Sequence, residues 1–336
     1  MGGDLAPRTV VDGAVLAARR LETGVTLVGD QAAIERELER HLDRAALDLT
    51  IVHTPERVTM DETPVQALRR KPRASVKVAA ELVAAGEAAA LFSAGHTGAT
   101  VMASHAAFGM LPGIDRPALA ATLPANGGSR ATTPGKARAV VLLDSGASVE
   151  CRPQHLVQFA MMGAAFARAA LDVAEPRVGL LSIGEEAGKG NELTREAHQL
   201  LKTAPVTFVG NIEAGELYSG SADVVVCDGF TGNIALKVSE GLVETVEAML
   251  REELSQTLGT RLGWLLSRRA FRNFRRRVDY AEYGGALLLG VAGITVVGHG
   301  RSSAKAVRSA ILMAARLAAA GFIEKLKVEA SARQAS

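Results

Sequence analysis

Cysteine is scarce in this chain: among 336 residues only Cys151 and Cys227 occur. Two thiols exclude a disulfide framework and a four-cysteine zinc site, and no Cys-x-x-Cys pair is present. There is no HExxH, no paired-histidine ligand set and no EF-hand loop, so no metal cofactor is indicated. Aromatic residues make up only 4%, which leaves the core to aliphatic side chains. Charge of one sign is missing as well. Lys plus Arg is 38 against 36 for Asp plus Glu, a net +2. That balance excludes a whole-surface nucleic-acid footprint but leaves room for a local basic patch. The opening MGGDLAPRTV lacks the charged-then-apolar build of a signal peptide, and Ala6 stands where a myristoylation signal needs Ser or Thr. The longest apolar run, from Ala286 to Gly298, is shorter than the roughly 18 residues of a spanning helix. Gly290 and Gly293 interrupt it. These absences lead us to expect a soluble, cytoplasmic protein.

What is present is globular: 48% hydrophobic residues, 22% charged residues and 34 glycines. Short aliphatic runs recur, each ending in a glycine or polar turn. They start at Val25, Leu49, Ala89, Leu119, Ala139, Arg177, Val206, Asp223 and Ile294. Such runs suit strands buried on both faces, and Ala- and Leu-rich stretches of helical spacing lie between them. The reading is an α/β fold with a doubly wound, mostly parallel sheet. It forms one large α/β domain over 1–336, with two lobes as the alternative that its length allows. In such a sheet ligands sit at the carboxyl ends of strands, so the loops that follow strands should converge on one crevice. The start is unusual: MGGD reads as a strand-to-helix loop with no strand before it, so either a first strand is missing or none was ever there. The stretch from Pro124 to Arg138 reads as an exposed loop or hairpin tip.

Five loops carry candidate chemistry. SAGHTGAT (Ser93 to Thr100) combines the small residues Gly95 and Gly98 with the hydroxyls of Ser93 and Thr97 at a helix start, a build that suits an anion. It is neither a Walker motif nor a dinucleotide fingerprint, and His96 within it reads as a helix cap or surface residue sooner than a base. LDSGAS places Asp144 at a strand end, to orient a hydroxyl or lysine or to cap a helix. In IGEEAGKGNELT, Lys189 can offer a point charge to phosphate or an oxyanion, while Asn191 with Thr194 also suits a helix cap. Glu185 and Glu186 are adjacent, and a solvated loop accounts for them equally well. CDGFTGNIALK is the most informative: Asp228 ends a strand, Gly229, Phe230, Thr231 and Gly232 form a turn, and Asn233 can donate to an oxyanion. Cys227 reads as a buried, inert thiol. A further anion nest follows the last strand, with His299, Ser302, Ser303 and Lys305.

The segment from Leu254 to Val278 differs from the rest. It carries seven arginines (Arg261, Arg268, Arg269, Arg272, Arg275, Arg276 and Arg277) and no acid. Trp264, Leu265 and other apolar residues recur there at roughly helical spacing. A helical arm over 243–278 is expected, as a basic amphipathic element for a membrane interface, an acidic partner or a dimer contact.

Taken together, MGGDLAP, SAGHTGA, GIDRPALAATLP, LLDSGAS, CRPQHLVQFAMMG, GLLSIGEEAGKGNELT, FVGNIEA, DVVVCDGFTGNIALKVSEG, YGGALLLG and GHGRSSAKA resemble the PlsX family of bacterial acyl-ACP:phosphate acyltransferases along nearly the whole chain. The departures are His96 and Ser148 where the family commonly has Asn, Leu287 where it has a smaller residue or proline, and the absence of a strand before MGGD. The resemblance implies an isocitrate dehydrogenase- or phosphotransacetylase-like fold and transfer of a fatty acyl group from acyl carrier protein to inorganic phosphate. No cofactor is implied beyond these two substrates. It also implies a homodimer, peripheral association with an anionic membrane surface, and delivery of acyl phosphate to an integral-membrane glycerol-phosphate acyltransferase.

The chemistry is compatible with the residues. A phosphate oxygen attacking a thioester needs fixed donors for the developing charge more than it needs a strong base. Lys189, Asp228 and Asn233 are the catalytic candidates, with Asp228 positioning Lys189 or a donor hydroxyl. The glycine loops are the phosphate- and substrate-binding candidates. Competing readings are a phosphotransacetylase using acyl-CoA, a lipid-surface scaffold without catalysis, and a dehydrogenase, which the missing fingerprint disfavours.

Overall fold

The computed structural model describes residues 1–126, 139–257, 259–260, 263–269, 271 and 284–331. Strands β1 (Val25–Gly29) and β2 (Leu49–His53) form a separate parallel pair. Eight more make one sheet: β3 (Ala90–Ser93), β4 (Ala118–Pro124), β5 (Ala139–Leu143), β6 (Arg177–Ser182), β7 (Thr207–Glu213), β8 (Val224–Val226), β9 (Ala286–Leu289) and β10 (Ile294–Val297). Their order across the sheet is β3-β10-β9-β4-β5-β8-β6-β7. Buried runs such as AVVLL in β5 and VVV in β8 have helices against them and no solvent-facing side.

The sheet is mixed. β3/β10 are parallel, as are β5/β8, β8/β6 and β6/β7, but β10/β9, β9/β4 and β4/β5 are antiparallel. Strand direction therefore differs between the two halves. The carboxyl ends of β3 and β10 lie at one edge, and those of β5, β8 and β6 at the other. The single crevice expected at the carboxyl ends of the strands divides into two loop groups. The apolar run from Ala286 is likewise two strands, β9 and β10, folded back on each other. Gly290 takes a positive φ of 93°, and at Gly293 a Cβ would press on the Phe108 ring at 2.7 Å. The pairing Pro124↔Ala139 makes the Pro124 to Arg138 stretch the connection of a hairpin, of which 127–138 lie outside the described residues.

Helices surround these strands: α1 (Arg8–Ala18), α2 (Gln31–Leu38), α3 (Pro64–Arg70), α4 (Ser75–Ala84), α5 (Thr97–Phe108), α6 (Pro153–Leu171), α7 (Glu192–Thr203), α8 (Gly229–Ser255), α9 (Ala304–Ala319) and α10 (Phe322–Ser331). The largest core cluster joins α6, through Leu156, Phe159, Met162 and Phe166, to the sheet residues Val141, Leu180, Val224 and Leu287. Gly163 lets α6 approach β8, since a Cβ there would meet the Val224 side chain at 2.6 Å.

No single helix among the described residues is long and apolar enough to cross a membrane. The bent pair α9 and α10 meets the length and composition test together, but its apolar residues Val307, Ala310, Leu317, Phe322 and Leu326 are buried in the core. The arm expected over 243–278 begins within α8, whose only buried residues are Gly229 and Gly232.

Candidate active site

The first loop group is organised by Asp144, which is fully buried at the end of β5. Its Oδ1 accepts the backbone N–H groups of Leu119 at 2.8 Å and of Gly146 and Ala147 at 2.9 Å. Oδ2 accepts Ser148 N–H at 2.6 Å and Ala147 N–H at 3.1 Å. Burial pushes this carboxyl up, while the converging N–H donors pull the other way. Asp144 thus holds its own loop, the cap-like one of the uses foreseen for it.

The loop after β8 is pressed onto it. A Cβ at Gly232 would collide with the Asp144 carbonyl, and one at Gly229 would meet Asp144 Oδ2 and Ser148 O at 2.6 Å. Gly229 N–H donates to Ser148 O at 2.8 Å. The two glycines are needed for this close approach. The contact presents Asn233, whose side chain lies about 3.5 Å from the Cβ position of Gly146, on the exposed side of the joined loops. Asp228 caps α8, accepting Thr231 N–H at 2.9 Å and the Thr231 hydroxyl at 2.7 Å. Of the two partners foreseen for Asp228, the donor hydroxyl is the one it holds. Phe230 is 59% exposed beside them.

Both thiols lie under these loops. Cys227 is buried and its thiol is pushed well up by burial and by Asp144 and Asp228. Cys151, half-buried, is pushed up to about 12, chiefly by burial. A thiol held protonated is a poor nucleophile, as expected for Cys227.

The loop after β6 adjoins because β6 neighbours β8. Lys189 is exposed, and its side chain lies over Gly184, where a Cβ would meet Lys189 Cγ at 2.9 Å. Asn191 caps α7, its Oδ1 accepting Thr194 N–H at 2.9 Å. That side chain is engaged in the cap, one of the two uses foreseen for it. A support that sequence reading missed lies beneath. Buried His198 Nδ1 pairs with Asn211 Oδ1 at 2.8 Å, and Asn211 Nδ2 donates to Glu186 O at 2.9 Å. Lys189 N–H donates to the same carbonyl at 2.9 Å. His198 and Asn211 sit on different elements, so no local spacing marked them.

The second group gathers at the other sheet edge. Gly298 N–H donates to Ser93 O at 2.8 Å, and Asp4 N–H to Gly300 O at 3.0 Å. The Ser93 hydroxyl accepts from Thr100 Oγ1 at 3.0 Å and from Gly95 N–H at 3.3 Å. His96 occupies the N-cap position of α5 but makes no side-chain cap bond, which corrects the capping reading. Its Nδ1 is buried and unpartnered among the described residues. Thr97 and Gly98 form the first turn of α5. His299 Nδ1 accepts Arg301 N–H at 3.2 Å, Ser302 is buried, and Ser303 caps α9.

Of the membrane- or carrier-binding candidates, Trp264, Leu265, Arg268 and Arg269 are exposed on a helical stretch over 263–269. Arg272, Arg275 and Arg276 lie outside the described residues. α8 leads toward this stretch with an apolar stripe: Phe230, Ile234, Val238, Leu242 and Val246 recur every fourth residue, then Met249 and Leu250, all exposed.

A family model described as "fatty acid synthesis protein" matches residues 1–325. The chain belongs to that family. Its relatives include the phosphate acyltransferase of Acidobacterium capsulatum, 46% identical over 98% of this chain and 95% of the relative. That of Geobacter sp. (strain M21) is 49% identical over 96% and 88%. Membership of the fatty acid synthesis family at this identity makes the chain a phosphate-acyltransferase-type enzyme. The fold has solved counterparts. A phosphotransacetylase from Streptococcus pyogenes superposes with a TM-score of 0.60 at 19% identity, covering 92% of this chain and 91% of its own. A branched-chain phosphotransacylase from Enterococcus faecalis V583 gives 0.57 at 14%, covering 94% and 96%. These two bear on the fold alone. They agree with the α/β, phosphotransacetylase-like expectation.

Proposed function

We propose that the chain transfers a fatty acyl group from acyl carrier protein to inorganic phosphate, releasing acyl phosphate and the free carrier thiol. The observation that favours a large acidic carrier over coenzyme A is the exposed apolar stripe of α8, which runs toward an acid-free segment bearing seven arginines. In the reaction a phosphate oxygen attacks the thioester carbonyl, the C–S bond breaks, and the carrier sulfur leaves as a thiolate that takes up a proton. The exposed amide of Asn233 and the charge of Lys189 stabilise the developing oxyanion and the phosphate. Asp228 holds the Thr231 hydroxyl in place beside them. The glycine turn after β8 supplies backbone donors. The protonated state of Cys151 and Cys227 favours direct transfer without an acyl-cysteine.

The same stripe and arginines are proposed to serve a homodimer contact and an anionic membrane surface, which would place the product within reach of an integral-membrane glycerol-phosphate acyltransferase and so feed phosphatidic acid synthesis. The deciding assay incubates long-chain acyl-ACP with phosphate and measures acyl phosphate, then repeats it with acyl-CoA. Acyl phosphate from the carrier-bound donor is the expected result. Product from acyl-CoA alone would transfer the assignment to a phosphotransacetylase, and no product from either donor would leave the scaffold reading. Cys227→Ala should retain near-full turnover, and a labelled acyl-enzyme would overturn the direct route.

A further inference from the structure

Two motifs remain without a role: GIDRP (113–117), ahead of β4, and CRPQH (151–155), which opens α6. They are clamped together. Gln158 of α6 accepts Asp115 N–H at 3.1 Å through Oε1, and its Nε2 donates to Gly113 O at 3.1 Å and to Asp115 Oδ2 at 2.9 Å. The Ser148 hydroxyl donates to Pro117 O at 2.8 Å, which ties GIDRP to the Asp144 loop as well. Arg116 and Arg152 belong to this clamped region. Both are exposed, and neither guanidinium has a hydrogen-bond or ion-pair partner among the described residues.

Beside them is His155, only 7% exposed. Its Nδ1 accepts Arg152 N–H at 3.0 Å, so the ring proton sits on Nε2. Nε2 donates to no group among the described residues and, unlike His96 Nδ1 and Arg308 Nε, is not sealed from solvent. A buried ring with one nitrogen fixed and the other N–H unused is a donor held ready for a ligand. Burial pushes the ring's pKa down, Asp115 pulls it up, and Arg116 and Arg152 push it down again. Both guanidinium charges therefore act on one ring, which stays neutral near physiological pH. Asp115, the acid that acts on it, is already bonded to Gln158.

The cluster adjoins the loop after β8. Cys151, next to Arg152, feels the Gly229 N–H and the charges of Asp144, Asp228 and Arg116. Arg116 thus acts across the same space as the turn that bears Asn233. The start of α6 adds the positive end of a 19-residue helix. Two cations and a neutral N–H donor at a helix start suit a tetrahedral oxyanion, which arginine grips through paired N–H groups.

We propose that Arg116, Arg152 and the Nε2–H of His155 form a subsite that takes a phosphate oxyanion beside the Asn233 turn. In the acyl-transfer function proposed for the chain, on which this assignment rests, the ligand is inorganic phosphate, because the phosphodiester of a carrier's prosthetic arm lies at the far end of that arm from the thioester.

The test compares the full chain with its Arg116→Gln and Arg152→Gln variants, and with exposed Arg20→Gln as a control. Calorimetry measures binding of inorganic phosphate and, separately, of pantetheine phosphate at constant ionic strength. Steady-state assays measure KM for phosphate and for acyl-ACP. Arg116→Gln and Arg152→Gln should each weaken phosphate binding about ten- to hundredfold and raise its KM alike, with KM for acyl-ACP unchanged. The His155 Nε2–H resonance should shift with the anion that binds and hold still with chloride. Loss of pantetheine phosphate binding together with a higher KM for acyl-ACP would keep the oxyanion subsite and assign it to the carrier arm. Binding of both anions unchanged in the two variants, an equal loss in Arg20→Gln, or a resonance unmoved by either anion overturns the proposal. If the full chain makes no acyl phosphate, the acyl-transfer function fails, while anion binding that depends on Arg116 and Arg152 still upholds the subsite.

Discussion

Gly232 and Asp144 show how much of the site rests on single atoms. Any side chain at Gly232 must displace the Asp144 carbonyl and Cys227 Sγ. Gly232→Ala is expected to destabilise the chain by about 1–3 kcal/mol, read as a lower urea midpoint, and to depress turnover further than stability alone explains. Asp144→Asn keeps the shape but sets an NH2 group against backbone N–H donors. A loss of about 2–3 kcal/mol is expected by the same measurement, and an unchanged midpoint would show that the loop does not depend on this carboxylate. Glu62 gives a pH prediction. Lys71, with Thr59, holds its carboxyl down from 4.5 to about 2. A depressed carboxyl contributes stability above its unfolded range, and that contribution is lost as pH falls through about 2. NMR titration of the Glu62 carboxyl should show no inflection near 4.5.

At the scale of elements, the loop after β6 is held from below. Removing Asn211 leaves the Glu186 carbonyl without that donor and buried His198 without its partner. Asn211→Ala should lower kcat/KM about tenfold while Lys189 itself is intact, and Asn211→Asp, which keeps only the acceptor, should not restore it. This support was illegible in the sequence because β7 and α7 meet only in space. The caps were partly legible: Asn191 with Thr194 reads as a helix start three residues ahead of its partner N–H, and Asp228 with Thr231 has the same spacing. His96 looked like a cap by the same logic, yet its ring makes no bond there. Position alone does not place a side chain.

For the whole molecule, the net charge of +2 hides an uneven distribution. Seven arginines fall between Leu254 and Val278, and the remainder of the chain is net acidic. Binding to an acidic carrier should therefore weaken steeply between low and physiological ionic strength. Leu242→Glu in the α8 stripe should weaken carrier-dependent turnover while leaving Tm within about 1–2 °C, since that side chain is 61% exposed. A stable dimer lost in this variant would instead assign the stripe to self-association.

The sequence by itself determined the elements and the motifs. Aliphatic runs of strand length, helical spacing between them and glycine at each strand end are local properties of the chain, and together with the family resemblance they named an α/β acyltransferase. Tertiary structure alone decided which loops meet. Three antiparallel pairings turn half of the sheet around, so two of the glycine turns lie at the opposite edge from the other three motif loops. Strand direction depends on which strands become neighbours, and that choice is made by packing between residues far apart in the chain.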